Sequence, residues 1–315
     1  MIDVGDFKPV TLRQKSLFKD HYARYPQSHS ENLFTTLVSW ANHTPAYYLL
    51  RGDALMIMRR KDGRPQFHPP IGEKDDSVLT ELFEVARSEG GPQPVVAIDE
   101  AAKNWIRGVY ADIKPTPDED FFDYVYLAGD LAELPGKPYI KQRSHLNRFR
   151  RQYRYSVEQV SAKNVGEADG FINRWCRKHG CEKDPLLDAE VKALLYCMSH
   201  FIELELSGIV LRMGGEMQAL SIYEPINEST VAIHFEKAMP GYDGIYPAIN
   251  NEAAKLIAKR YAYINRESDL GIEGLRTAKQ RLHPHHMERI YYITKEELSK
   301  SDAGSKAKNR QSLSD

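Results

Sequence analysis

One predicted strand, Thr230–Lys237, carries two side chains that could move a proton. Apolar residues alternate with other residues along it. A period of two places Ala232, His234 and Glu236 on one face of such a strand. We therefore expect His234 and Glu236 to project from the same side, where either could act as a proton acceptor. The simpler alternative is a half-exposed strand in which the two side chains only contact each other.

A glycine loop follows this strand. Gly241 and Gly244 lie within Met239–Tyr246, directly before a predicted helix. A loop that leads into a helix presents free backbone N–H groups at the positive end of the helix dipole, an arrangement suited to phosphate. We interpret Gly241 and Gly244 as candidate phosphate-binding residues. An ordinary turn is the alternative, because this glycine spacing by itself is weak.

A later predicted helix, which begins near Asp269, has a basic face. Arg276, Lys279 and His283 recur on it at steps of three and four residues. Arg276 and Lys279 could hold phosphates or stabilise a developing oxyanion. A solvated basic face is the alternative interpretation.

The sharpest charge feature lies between Glu133 and Glu158, where the sequence has no acidic residue. The cations there are Lys137, Lys141, Arg143, Arg148, Arg150, Arg151 and Arg154. Because uncompensated cations repel one another, we predict that this segment binds the phosphates of a nucleotide, a coenzyme or an RNA, with Arg143 and Arg148 as candidate contacts. The alternative is a solvated linker helix whose arginine stems cover apolar surface.

We predict no metal site. Cys176, His179 and Cys181 lie close together, but no second pair of ligands follows at zinc-site spacing. Three further histidines surround Pro284, which interrupts the regular geometry that a helix would give them.

The elements that must position these residues repeat along the chain. Each half reads as helices, an antiparallel meander, a helix, a strand, a helix and a strand, with the meander strands at 46–60 and 208–237. This order predicts two α/β (α+β) domains, each a mixed, mostly antiparallel sheet flanked by helices. The predicted ranges are 1–135 for the N-terminal domain, 136–298 for the C-terminal domain with a basic interdomain segment at 136–155, and 299–315 for a disordered tail.

Composition is consistent with this division. A chain of 315 residues favours two domains. The formal charge of -1 excludes a global attraction to nucleic acid or membrane, so any electrostatic function must be local. No apolar run approaches the roughly 18 residues of a membrane-spanning helix. Three cysteines are too few for a disulfide framework, and the opening residues lack the pattern of a signal peptide, so we predict a cytoplasmic location.

Four segments carry a family resemblance. His234–Lys237, Gly244–Asn250 and Tyr263–Lys279 look like an uncharacterised family related to the C-terminal domain of phosphatidylglycerol lysyltransferases, and Lys141–Phe149 resembles that family's interdomain segment. These motifs lie between about residues 134 and 295. The resemblance implies two tandem domains of the GCN5-related N-acetyltransferase (GNAT) fold.

The resemblance also implies an acyltransferase. The transferred group would be an aminoacyl group from aminoacyl-tRNA, or an acyl group from a thioester, and the acceptor an amine or a lipid hydroxyl. We expect Glu236 or His234 to accept the proton, Arg276 and Lys279 to stabilise charge, and Asn250 to orient the donor. No cysteine or serine motif indicates a covalent enzyme intermediate, which favours direct transfer.

Two other functions use the same anion-binding residues. One is a catalytically silent protein that binds a nucleotide, a tRNA or a small metabolite. The other is an acyl-CoA-dependent N-acyltransferase, although Gly241–Gly244 departs from the usual coenzyme A loop, Gln/Arg-x-x-Gly-x-Gly/Ala. We expect no tightly bound cofactor, with aminoacyl-tRNA or coenzyme A as the donor. The sequence gives no indication of oligomeric state.

Overall fold

Two seven-stranded sheets organise the chain, each in its own unit of a computed structural model that describes residues 1–300. Within the described residues, the first unit consists of Met1–Pro26, His43–Phe121 and residues 289–300, and the second unit of Gln27–Asn42 and Phe122–Glu288. The sequence boundary predicted at residue 135 therefore lies inside the second unit. Strands and helices are numbered below in chain order.

The first unit holds one sheet and four α-helices. Its strands are β1 (Lys8–Pro9), β2 (Ala46–Arg51), β3 (Ala54–Lys61), β4 (Arg64–Phe67), β5 (Val95–Ile98), β6 (Thr116–Pro117) and β14 (Tyr291–Ile293). Its helices are α1 (Lys15–Arg24), α3 (Asp76–Glu89), α4 (Glu100–Val109) and α11 (Lys295–Ser299). The order across the sheet is β1-β2-β3-β4-β5-β14-β6, and only β4 and β5 are parallel.

The second unit repeats this plan. Its strands are β7 (Asp123–Leu127), β8 (Ser156–Gln159), β9 (Ser207–Met213), β10 (Glu216–Pro225), β11 (Thr230–Ala238), β12 (Tyr263–Asn265) and β13 (His286–Glu288). Its helices are α2 (Phe34–Ser39), α5 (Ala128–Glu133), α6 (Ile140–Gln152), α7 (Glu167–His179), α8 (Pro185–Ser199), α9 (Ile245–Ile257) and α10 (Glu273–Gln280). The order is β8-β9-β10-β11-β12-β7-β13, and only β11 and β12 are parallel.

The two sheets therefore share one topology. In each, a meander of four antiparallel strands is followed by one parallel pair, and the sixth position is filled by a strand from a distant part of the chain, β14 in the first sheet and β7 in the second. The meander strands predicted at 46–60 and 208–237 take matching positions. This confirms the predicted class of two mixed, mostly antiparallel sheets flanked by helices.

Buried contacts explain why residues 27–42 and 122–135 join the second unit. The backbone N–H and the hydroxyl of Ser30 donate to the carboxylate of Asp123 at 2.7 and 2.8 Å, and burial raises the pKa of Asp123 to about 7. Leu33 packs with Ile226, which lies between β10 and β11, and with Ala232 of β11. These contacts join residues far apart in sequence, which local patterns do not report.

The core of the second unit lies between its sheet and α9. Ile249 and Ala253 of α9 pack in one cluster with Ala219 of β10 and Ile233 of β11. Phe149 of α6 is fully buried in the same cluster. Tyr242 of the glycine loop packs against the same cluster, so the loop between β11 and α9 lies against this core.

The structure also describes the three cysteines, the start of the predicted tail and the length and apolar character of the helices. Cys176 and Cys181 form a disulfide, and Cys197 is a buried free thiol. Of the predicted tail, Ser299 ends α11, and everything after Lys300 lies outside the described residues. Within residues 1–300, no helix combines the length and the apolar character needed to cross a membrane.

Candidate functional site

A β-bulge in β11 decides where its polar side chains point. Ser221 of β10 lies opposite Glu236, and Glu224 lies opposite Ala232, so three steps along β10 match four steps along β11. The extra residue is His234. Because successive side chains alternate between the faces of a strand, one extra residue turns Glu236 to the face opposite Ala232.

The expected common face of His234 and Glu236 is therefore wrong. His234 bonds to Glu224, which shares the face of Ala232, whereas Glu236 shares the face of Ser221. A strict period of two holds only for a strand without a bulge, and this bulge is set by pairing with β10 rather than by the residues of β11 alone.

The site opens where β11 and β12 stop pairing. Residues 230–232 pair with residues 263–265, after which β11 continues to Ala238 while the chain leaves β12. The next two residues reach back to β11. Arg266 Nη2 donates to Glu236 Oε1 at 2.9 Å, and Glu267 Oε1 accepts a hydrogen bond from His234 Nδ1 at 2.7 Å. Two adjacent side chains thus tie the turn after β12 to opposite faces of β11.

His234 is a buried cation in this arrangement. Its side chain is 3% exposed, and its Nε2 donates to Glu224 Oε1 at 2.8 Å while Nδ1 binds Glu267. Burial on its own lowers the pKa of an imidazole, but the hydrogen bonds and charges of the two carboxylates outweigh it and raise the pKa to about 10. Both ring nitrogens carry protons and are engaged, which favours a positioning role over the expected role of proton acceptor.

Only one carboxylate oxygen of Glu236 makes a hydrogen bond within the described residues. Its side chain is 8% exposed, and Oε1 accepts the hydrogen bond from Arg266. Oε2 is buried and has no hydrogen-bond partner within residues 1–300. A carboxylate that is fixed at one oxygen and has no partner at the other is suited to accept a proton or a hydrogen bond from a ligand.

Lys279 holds the backbone of the turn. Its Nζ lies within hydrogen-bond distance of the carbonyl oxygens of Arg266, Glu267 and Ser268, at 2.7 Å for the first and 3.0 Å for the second. Burial lowers the pKa of this ammonium group to about 8. Glu267 adopts a φ of 58°, an uncommon conformation for a residue with a side chain. Three carbonyl contacts stabilise that strained turn, so they assign Lys279 a positioning role.

Arg276 braces the next part of the same turn. Its Nε and Nη2 donate to the two oxygens of Asp269 at 2.9 and 3.0 Å. Asp269 also accepts hydrogen bonds from the Tyr124 hydroxyl at 2.6 Å and the Gly271 N–H at 2.9 Å. These contacts outweigh the effect of burial and hold the pKa of Asp269 below its ordinary value. The guanidinium of Arg276 thus already serves a buried carboxylate.

The glycine loop packs against α6. Gly244, with a φ of 88°, precedes α9, and a Cβ there would lie 2.8 Å from the carbonyl oxygen of His145. Gly241, with a φ of 97°, has open space where its Cβ would be. Arg148 Nη1 binds the Asp243 carboxylate of the loop at 3.0 Å. The structure therefore brings Arg148, Gly241 and Gly244 together, but an acidic side chain of the loop itself occupies the arginine.

Arg143 and Asn250 lie apart from that ion pair. Arg143 Nη1 donates to the carbonyl oxygen of Leu134, at the end of α5. Asn250 is buried in α9, and its Nδ2 has no partner within the described residues. Arg143 therefore stabilises a helix end, whereas the amide of Asn250 remains a donor with unmet hydrogen bonds.

Four cations of the basic segment have no partner in the described part of the chain. We call them the α6 basic surface: Lys137, Lys141, Arg151 and Arg154. All four are exposed and have no hydrogen-bond or ion-pair partner among residues 1–300. By contrast, Arg150 donates to Asn251 and Glu252, both at 2.9 Å. Unpaired, exposed cations along one helix and its flanks form a surface suited to a polyanion.

Several residues of the site escaped the sequence reasoning. Arg266, Glu267 and Asp269 lie inside the motif Tyr263–Lys279, so that motif was a signal that could have identified them. Ser221 and Glu224 carry no such signal, because only their register against β11 brings them to the site. Within residues 1–300, no group of three or more His, Cys, Asp or Glu side chains could hold a metal ion.

The sequence matches a known family over most of its length. The family described as phosphatidylglycerol lysyltransferase, C-terminal, matches residues 22–294. No curated protein matches the sequence significantly.

Solved structures share the fold. A conserved protein of unknown function from Bacteroides thetaiotaomicron is 29% identical, with 91% of this chain and 99% of that one covered at a TM-score of 0.83. L-PGS from Bacillus licheniformis is 16% identical, with 89% and 91% covered at a TM-score of 0.60. FemX is 8% identical, with 93% and 98% covered at a TM-score of 0.56. The predicted class of two mixed, mostly antiparallel sheets flanked by helices is confirmed, and FemX shares this fold.

Proposed function

Because the chain belongs to the family of phosphatidylglycerol lysyltransferase C-terminal domains, we propose that it is an aminoacyltransferase that uses aminoacyl-tRNA as its donor. The acceptor is an amine or a lipid hydroxyl. The observation that carries the proposal is the carboxylate of Glu236, which Arg266 holds at Oε1 and whose buried Oε2 has no partner among residues 1–300.

Glu236 acts in this reaction as the proton acceptor. The acceptor's nitrogen or oxygen attacks the ester carbonyl carbon while its proton passes to Glu236 Oε2. The bond between the carbonyl carbon and the ribose oxygen then breaks, and the proton returns from Glu236 to that oxygen. The new amide or ester and the free tRNA hydroxyl balance the step. General base catalysis of this kind contributes about 100- to 10,000-fold in rate.

The α6 basic surface receives the tRNA backbone in this proposal. Its four cations are exposed and unpaired within the described residues, whereas Arg143 and Arg148, the contacts expected from the sequence, already bond to Leu134 and Asp243. The unmet N–H of Asn250 is assigned to the carbonyl oxygen of the aminoacyl ester. Gly241 leaves room for a close approach of the donor to the loop.

His234, Lys279 and Arg276 act as positioning residues. Each binds the turn of residues 266–269 or a residue in it, and that turn supplies Arg266 to Glu236. Their substitution is expected to lower turnover by displacing Glu236 rather than by removing a group that touches the substrate.

The test is transfer from a mixture of radiolabelled aminoacyl-tRNAs to amine and phospholipid acceptors, with acetyl-CoA as a separate donor arm. Glu236→Gln is expected to lower turnover by about 100- to 10,000-fold. Glu228→Gln, the same change at an exposed position between β10 and β11, is the matched control and should leave turnover unchanged. Transfer from acetyl-CoA alone, or full turnover by folded Glu236→Gln, would contradict the proposal.

A further inference from the structure

Two buried polar atoms on one face of the β10–β11 pair lack partners. Ser221 is fully buried in β10, and its Oγ makes no hydrogen bond within residues 1–300. Directly opposite in the register stands Glu236, whose Oε2 is equally unmet. The two side chains therefore lie on the same face of the strand pair, and the two atoms do not bond to each other.

Such a pair is unusual in a folded protein. Buried side-chain polar atoms nearly always have a partner, because losing contact with water without replacement costs free energy. The surrounding strands are regular on either side of the bulge, and Arg266 satisfies only the other oxygen of Glu236. Unmet groups that fall together at a candidate site point to a ligand that completes them.

A single bridging group could satisfy both atoms. Side chains directly opposite each other in an antiparallel pair have Cβ atoms about 4.5–5.5 Å apart. A hydroxyl can donate to the acceptor-only carboxylate and accept from the serine hydroxyl, whereas an amine can donate to both oxygens, so each keeps a free lone pair.

We propose that Ser221 Oγ and Glu236 Oε2 form the subsite for the nucleophilic group of the acceptor, an amine nitrogen or a hydroxyl oxygen. The inference rests on the proposed function and adds Ser221 as a residue that touches the substrate. Ser221 Oγ accepts a hydrogen bond from an amine, or donates one to the second lone pair of a hydroxyl, so that a lone pair of the nucleophile stays free to attack while Glu236 takes its proton. Helix α9 packs on this face, because Ile249 and Ala253 share one core cluster with Ala219 and Ile233, which lie on the same face as Ser221 and Glu236.

The test compares Ser221→Ala with Ser39→Ala, the same change at another buried serine of the second unit. Removal of an unmet buried hydroxyl should raise the Tm of Ser221→Ala by about 2–4 °C. The affinity of Ser221→Ala for propylamine and for 1-propanol, measured by saturation-transfer NMR without donor, should fall at least fivefold. Transfer should fall at least tenfold, whereas Ser39→Ala should retain both binding and transfer.

The two probes identify the source of the nucleophile, because they match in shape and differ only in the reacting atom. Ser221→Cys, which keeps the volume and weakens the hydrogen bond, serves as the second variant if Ser221→Ala folds poorly. Wild-type binding and transfer in a folded Ser221 variant would overturn the subsite. Serine-dependent probe binding without transfer from any aminoacyl-tRNA would instead retain the subsite and reject the proposed function.

Discussion

Arg266 donates from Nη2 to Oε1 of Glu236 over 2.9 Å, across the gap that opens where β11 and β12 stop pairing. The guanidinium is mostly buried and the carboxylate almost completely so. This ion pair links the strand that carries the proposed proton acceptor to a turn that Lys279 and Arg276 hold in place. The reactive oxygen of Glu236 is thereby oriented by residues that come 30 or more positions later in the chain.

Loss of that ion pair should cost stability. Arg266→Met leaves the Glu236 carboxylate buried without its counter-charge, so the free energy of unfolding should fall by about 3–5 kcal/mol. Urea unfolding measures the change. Arg154→Met, at an exposed arginine without a partner in the described part of the chain, should shift it by less than about 0.5 kcal/mol. Equal effects of the two substitutions would show that the pair does not organise the site.

The charge of His234 makes stability depend on pH. Its pKa is about 10 in the folded protein against about 6.5 in an unfolded chain, so its contribution is complete below pH 6.5 and declines as pH rises toward 10. Burial lowers the pKa of Lys279 to about 8, so the contribution of this residue to stability increases as pH rises above 8. Between pH 6.5 and 8 the wild type should therefore lose about 2 kcal/mol more stability than His234→Gln.

Urea unfolding at several pH values compares the two proteins, and ¹⁵N NMR of the imidazole gives an independent check. The ring of His234 should retain the shifts of an imidazolium at pH 8. A neutral ring at that pH, or parallel stability curves for wild type and variant, would refute the cationic assignment.

Binding of tRNA should depend strongly on salt. If the four cations of the α6 basic surface each neutralise one phosphate, a slope of about -0.7 per contact predicts an affinity loss of about 50-fold between about 50 and 200 mM salt. Exchange of two of the cations, Lys141→Glu with Arg151→Glu, should weaken binding at low salt and reduce that loss to about sevenfold. Lys259→Glu, an exposed cation after α9, is the control.

Filter binding or fluorescence anisotropy with tRNA gives these slopes directly. The basic surface would lose its assigned role if the double variant bound tRNA with the wild-type affinity and slope.

The two glycines of the loop before α9 should respond differently to alanine. Gly244→Ala places a Cβ 2.8 Å from a backbone oxygen of α6 in addition to straining the backbone, so it should cost about 2–3 kcal/mol. Gly241→Ala adds only the strain of a positive φ, which should cost about 1 kcal/mol. Urea unfolding of both variants tests the order, and equal losses would argue against close packing of α6 on the loop.

The sequence by itself predicted the fold class and the main elements, although the helix expected to begin near Asp269 begins at Glu273 and ends before His283. Hydrophobic periodicity and glycine turns are local signals, and they predicted the meander strands, the helix after the glycine loop and the duplicated order of elements. The motif Tyr263–Lys279 also contained Arg266, Glu267, Asp269, Arg276 and Lys279, the residues of the turn and of the helix that braces it.

Only the tertiary structure decided which of these residues meet and in what charge state. Pairing with β10 makes His234 a bulge residue and turns Glu236 toward Ser221, and two carboxylates from other segments keep the buried His234 protonated. The sixth strand of each sheet comes from a distant part of the chain, which moved the boundary predicted at residue 135. Register and burial depend on contacts between residues far apart in sequence, and no local period encodes them.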